Sequence, residues 1–186
     1  GSQTDAGESK NTIENIRILN GDDDVTRNYE INKDEGILKV TPQKLTIATS
    51  SKQKIYDGTP LSNSGFTLTK GELFLDHALE VIEHTSITNV QSVENKFEMR
   101  VINGESVDVS YNYDIEYDYG TLTIDKLPIM VETKSAEKTY DGTPLSDDTK
   151  FVSEGELVNG HSLAIKESVE ITDAKTEPNA LKVLVL

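Results

Sequence analysis

Three groupings in the chain carry side chains able to do chemistry. Gly21-Asp22-Asp23-Asp24 sets three carboxylates in a row, with Asp34 and Glu35 close by, the donor type a calcium ion takes. A calcium shell needs about six to eight oxygens at controlled positions. The related loop Gly104-Glu105-Ser106-Val107-Asp108 has fewer carboxylates, so a solvated turn is the expected reading of Asp22, Asp23 and Asp24, with calcium the weaker one. His77, His84 and His161 are the only histidines, and cysteine is absent. Zinc needs three or four converging ligands, and no His pair here has ligand spacing. The third grouping, Asp108, Asp114, Glu116 and Asp118, is an acidic stripe that suits a solvated face better than a site for a basic partner. No G-x-S-x-G elbow and no glycine-rich phosphate loop occurs. No catalytic residue, cofactor or resident metal is therefore expected, and the chain is not expected to be an enzyme.

The loudest motif is Tyr56-Asp57-Gly58-Thr59-Pro60, which returns as Tyr140-Asp141-Gly142-Thr143-Pro144. Each residue type has a turn role. Asp bonds back to the backbone, Gly takes positive φ and Pro presets the chain direction. A structural turn with a packed Tyr is expected, rather than a ligand loop.

The elements around these turns repeat. KIYDGTPLS at Lys54 to Ser62 recurs as KTYDGTPLS at Lys138 to Ser146, an offset of 84. Residues 43–102 and 127–186 share twenty identities in sixty ungapped positions. Asn28-Tyr29-Glu30-Ile31 matches Asn112-Tyr113-Asp114-Ile115, and Gly36-Ile37-Leu38-Lys39-Val40 matches Gly120-Thr121-Leu122-Thr123-Ile124. One slip lies near Asn20-Gly21. The expected organisation is the C-terminal half of one repeat (1–42), a complete repeat (43–126) and the N-terminal two-thirds of another (127–186). The domain frame can be shifted from this repeat frame. A half-repeat cannot bury a core alone, so strands are also candidates for donation between molecules.

Strand signals dominate. Val107, Val109, Tyr111, Tyr113, Ile115, Tyr117 and Tyr119 alternate with polar residues, with Asn112 a candidate break. Leu45-Thr46-Ile47 and Ile129-Met130-Val131 read as opening strands. Asn103-Gly104 reads as a tight hairpin turn with positive φ. Six or seven short strands in each repeat predict an all-β chain of small immunoglobulin-like β-sandwiches in tandem. The alternative is a β-grasp-like sheet with one short helix at Asp76 to Glu83.

Composition narrows the partners. The net charge is -15, with 35% hydrophobic residues and no Trp. An acidic chain repels nucleic acid and anionic membrane surfaces. No apolar run approaches membrane-spanning length. Gly1-Ser2-Gln3-Thr4 and Val185-Leu186 read as the ends of a piece cut from a longer protein, so a missing export signal carries no information.

The strand, K-x-YDGTPL, GEL…GH-L, TDAG…KNTI and NYEI…GILKVTP pattern resembles the YDG/MBG-type tandem repeats of bacterial surface proteins and adhesins. The resemblance spans essentially the whole chain. It implies an exported, non-catalytic β-module on the bacterial cell surface, often Gram-positive, with neighbouring repeats as its first contacts. The expected role is a stalk, spacer or adhesion scaffold. Rivals are a module binding host or cell-wall glycan or protein, and an accessory domain of an exported enzyme. Some Gram-positive surface domains of similar type carry Lys–Asn isopeptide bonds, and Lys10, Asn11 and Asn95 are the residue types available for one.

Overall fold

The computed structural model describes residues 1–74 and 76–186. Its strands run β1 (Gly7–Asn11), β2 (Leu19–Asn20), β3 (Asp23–Asp24), β4 (Gly36–Val40), β5 (Gln43–Thr49), β6 (Lys52–Ile55), β7 (Leu61–Ser62), β8 (Phe66–Lys70) and β9 (Ala78–His84). They continue β10 (Ser86–Ile87), β11 (Gln91–Glu94), β12 (Phe97–Ile102), β13 (Tyr113–Asp118), β14 (Thr121–Asp125), β15 (Met130–Thr133), β16 (Lys150–Glu154), β17 (Leu163–Glu167) and β18 (Lys182–Val185). The only helical turns among the described residues are the 3-10 segments Thr26–Asn28 and Ser110–Asn112. The fold is all-β, in small sheets of two or three strands. No helix among the described residues is long and apolar enough to cross a membrane.

The chain forms two compact units that do not follow the 1–42, 43–126 and 127–186 divisions. The first comprises Gly1–Lys52, Ser62–Ser86 and Val93–Leu122. Its central strand is β5, where Leu45, Ile47 and Thr49 are buried and the residues between them are half-buried, as period-2 alternation requires. β8 pairs with β5 antiparallel and β13 pairs with it parallel. Leu45 packs with Val101, Val109 and Tyr113, and Leu68, Leu73, Leu79 and Ile115 lie against that cluster. A fully buried apolar side chain such as Leu45 or Val101 stabilises by about 1.5–3 kcal/mol. β1 pairs with β4 and β9 with β12.

The second unit comprises Gln53–Leu61, Ile87–Ser92 and Thr123–Leu186, and holds the pairs β15–β16 and β17–β18. Its registers repeat those of the first at an offset of 84. Val131↔Val152 stands where Ile47↔Leu68 does, and Leu163↔Val185 where Leu79↔Val101 does. The register irregularities recur at the same places.

Three expectations are corrected. The segment considered for a helix, Asp76 to Glu83, forms most of strand β9, because Val81 and its neighbours pair with β12. The long alternating run does not start at Val107. β13 begins at Tyr113, while Val107 and Tyr111 are exposed. The break comes from side chains bonding the backbone. Asp108 Oδ1 accepts the Ser110 N–H at 2.9 Å, and Ser110 Oγ accepts the Val101 N–H at 2.8 Å. In the Asn103-Gly104 turn, the positive φ falls on Ser106 (62°) rather than on Gly104. Asn103 Oδ1 accepts the N–H groups of Glu105 and Val107, which widens the turn.

One buried amide fastens the first unit. Asn95 is fully buried, and its Nδ2 donates to the carbonyls of Ser50 and Asn63, both at 2.9 Å. Thr49 Oγ1 donates to the Asn95 carbonyl at 2.8 Å and accepts the Gly120 N–H at 2.9 Å. A Cβ at Gly120 would stand 2.4 Å from the Thr49 carbonyl oxygen, so only hydrogen fits there. In the second unit Asn179 Nδ2 donates to the carbonyls of Lys134 (3.0 Å) and Asp147 (2.8 Å), and Thr133 Oγ1 to that of Asn179 (3.0 Å). Every partner is displaced by 84. Asn95→Ala removes both bonds and a fully buried side chain. It is expected to lower stability by about 2–4 kcal/mol in urea unfolding, and Asn179→Ala, at a half-exposed position, by clearly less.

Candidate functional site

The Lys-x-Tyr-Asp-Gly-Thr-Pro turn is built twice from the same bonds. Lys54 leaves the end of β6, and its Nζ donates to Asp57 Oδ1 (2.5 Å), the Thr59 carbonyl (2.7 Å) and Thr59 Oγ1 (2.6 Å). Asp57 Oδ1 also accepts the Thr59 N–H (2.9 Å) and Thr59 Oγ1–H (2.7 Å). Gly58 takes φ +77°, which a residue with a Cβ adopts only at a cost. In the second turn Lys138 Nζ donates to Asp141 Oδ1 (2.8 Å), the Thr143 carbonyl (2.7 Å) and Thr143 Oγ1 (2.6 Å). The Asp141–Thr143 bonds match those of Asp57–Thr59, and Gly142 has φ +76°.

This geometry leaves little for chemistry. An ammonium has three donors, and all three of Lys54's point into its own turn. Hydrogen bonds from Lys54 and then Thr59 hold the Asp57 carboxyl far below the usual range, and Lys138 and Thr143 do the same to Asp141. A lysine whose donors are all engaged in its own turn has none left for a ligand, and a carboxylate so depressed is a poor proton acceptor near neutrality. Pro60 and Pro144 close the turns as exposed residues. The lysine's part went unread in the sequence, although its i, i+3 spacing to Asp was the available signal.

The two tyrosines differ in setting. Tyr56 is half-buried and stacks on His161, ring centroids 5.9 Å apart. A Cβ on Gly58 would come 2.7 Å from Val158 Cγ1, so this turn packs against the Val158–His161 loop. Tyr140 is 65% exposed, and nothing lies within 4 Å of a Cβ at Gly142. The turn is a property of its own residues. Its packing depends on whether a neighbour lies against it.

The remaining candidates fall elsewhere. Asp24 does not sit free for an ion. Its Oδ1 accepts Thr26 Oγ1–H and N–H, and its Oδ2 pairs with Arg17 at 3.1 Å. These bonds pull its carboxyl below the usual value, Thr26 contributing most. Asp22 lies in the loop between β2 and β3, Asp23 pairs with Asn20 in that hairpin, and both are exposed. Among the described residues no group of three or more His, Asp or Glu converges as a metal site. Asp108 caps its turn as Asp24 does, whereas Asp114 and Glu116 stand exposed near Lys44. His77 Nδ1 lies 2.7 Å from the Tyr113 hydroxyl, with Phe74 against both rings. His84 packs on Phe97. The isopeptide residues do not share a buried pocket, since Lys10 and Asn11 are both exposed on β1 and the Asn95 amide holds two carbonyls.

No family model, no curated protein and no solved structure matches the chain.

Because both turn carboxyls sit below their ordinary value of 3.8 in the fold, their contribution is complete above that pH. It is lost as the pH falls below it toward the native values. Thermal unfolding from about pH 5 to pH 2 is expected to show an acid-side fall in Tm that flattens in the double variant Asp57→Asn with Asp141→Asn. Gly142→Ala is expected to destabilise by about 1–2 kcal/mol from positive φ alone, and Gly58→Ala by more, because Val158 must also move.

Proposed function

We propose that this chain is a non-catalytic, tandem-repeat spacer of a bacterial surface protein, in which 84-residue β-modules in series carry other domains outward. The observation that carries this reading is the recurrence, at a constant sequence offset, of one set of hydrogen bonds. Lys54/Lys138, Asp57/Asp141, Thr49/Thr133 and Asn95/Asn179 make the same contacts. Selection for chemistry keeps a site once. Selection for length keeps a scaffold many times. The likeness of K-x-YDGTPL to YDG/MBG-type surface repeats points the same way, and with it come export, an immunoglobulin-like sandwich for each module and a Gram-positive source.

Neighbouring repeats also touch. In the first unit Asn112 accepts the Ala6 N–H at 2.6 Å and donates to Asp5 at 2.9 Å. In the second, Tyr56 stacks on His161. Such joints let modules transmit tension in sequence. The net charge of -15 keeps neighbouring chains apart.

A second reading, recognition of host or cell-wall glycan, is favoured by the exposed rings of Tyr111 and Tyr140. Tyrosine presents an apolar face with a polar tip. A specific hit on a glycan array that disappears in Tyr111→Ala supports it over the spacer.

Inserting one and then two further copies of residues 43–126 between Lys126 and Leu127 tests the spacer. The maximum dimension in small-angle scattering is expected to grow by a constant step per copy. Growth as the cube root of mass contradicts it.

A further inference from the structure

Tension along a chain reaches each strand pair in a direction that its register fixes. In an antiparallel pair joined through its inner ends, the two outer ends lie side by side. Pulling them apart opens the ladder one bond at a time. In a parallel pair, the entry to one strand and the exit from the other lie at opposite ends of the ladder. Pulling there slides the strands past each other and loads every bond together. The first unit holds both kinds. β9 and β12 are antiparallel, and their outer ends Ala78 and Ile102 are register partners. β5 and β8 are antiparallel too. β5 and β13 are parallel over six register pairs, from Tyr113↔Gln43 to Asp118↔Ala48. The chain enters this ladder at Gln43 and leaves it past Asp118, at the other end. β8, β9 and β12 belong to the chain between, outside the path of the load.

Sliding is opposed by more than the ladder. Leu45 and Ile47 of β5 are fully buried, and Tyr113 of β13 is buried as well. Leu45 and Tyr113 share one core cluster with Val101 and Val109. A slip by one residue would turn the apolar set of either strand to the wrong face. The exit is fastened too. Just past β13, the Gly120 N–H donates to Thr49 Oγ1 at 2.9 Å, and the Gly120 carbonyl accepts the Asn95 N–H at 2.8 Å. The Thr121 N–H donates to Ser51 Oγ at 2.9 Å. Tension arriving from beyond Thr121 meets these bonds before it reaches β13.

We propose that β5 and β13 form a mechanical clamp, which carries tension in shear and keeps it off the strands between them. That the chain meets tension at all rests on the spacer reading, whereas the strength of the clamp follows from its register. Rupture under force is governed by the unfolding rate rather than by equilibrium stability. A unit with a small core can therefore still resist pulling, provided the pull runs along the parallel ladder. The same unit yields readily to a pull across the ladder's end.

The chain has no cysteine, so a pair of introduced cysteines decides where force is applied. Single-molecule force spectroscopy through handles on Gln43→Cys with Asp118→Cys pulls the ladder in shear. Handles on Gln43→Cys with Asp114→Cys peel the same ladder from one end. All three positions are exposed. At one loading rate, the shear pair is expected to rupture at roughly twice the force of the peeling pair or more, because its bonds break together. That rupture is expected to release the chain from 43 to 118 in a single step, on the order of 240 Å at about 3.3–3.6 Å per residue. Urea unfolding gives the stability of each variant. Equal forces in the two directions, or a difference that follows stability alone, overturn the clamp. A higher shear force in a chain whose length fails to grow by a constant step per added copy keeps the clamp and removes the spacer.

Discussion

Two backbone carbonyls, those of Ser50 and Asn63, point at a buried carboxamide, and the geometry of the first unit depends on that amide reaching both. A buried group left without its hydrogen-bond partner destabilises by about 1–3 kcal/mol. Asn95 answers them from the turn between β11 and β12, and so ties the end of β5, the entry to β8 and that turn into one knot. Thr49 and Gly120 complete it by carrying the bond network to the start of β14. With those ends fixed, the register of β5 against β8 is set, and a one-residue slip would turn Leu45 and Ile47 to solvent. The core is small, so polar fastening supplies specificity that apolar volume does not.

The knot and the turn divide the work of a module. The knot is buried and sets long-range register. The Lys54–Asp57–Thr59 turn is exposed and closes locally, so it forms identically whether its tyrosine is packed, as at Tyr56, or open, as at Tyr140.

Much of this was legible in the residues. Asp57-Gly58-Thr59-Pro60 reads as a turn because each side chain has a local reason to be there, and local reasons survive folding. β5 was legible from alternation, and the 84-residue period from identity alone. What was not legible depended on distant partners. The run from Val107 to Tyr119 keeps period 2 in sequence, but Ser110 is drawn off by the distant Val101 N–H. Lys54 and Asn95 look like surface residues in composition, and only the carbonyls they meet reveal their roles. Asp22, Asp23 and Asp24 look like an ion loop until Thr26 and Arg17 are seen to hold Asp24.

Strand pairings recur along this chain at an offset of 84, Val131↔Val152 standing where Ile47↔Leu68 does, and residue-resolved amide hydrogen exchange reads that directly, since protection tracks each ladder and turn bond. The protection pattern across β5, β8, β9 and β12 is expected to reappear across β15, β16, β17 and β18, with Thr59 and Thr143 behaving as a pair. Uniformly unprotected amides from 127 to 186, beside a protected 43–102, would contradict it.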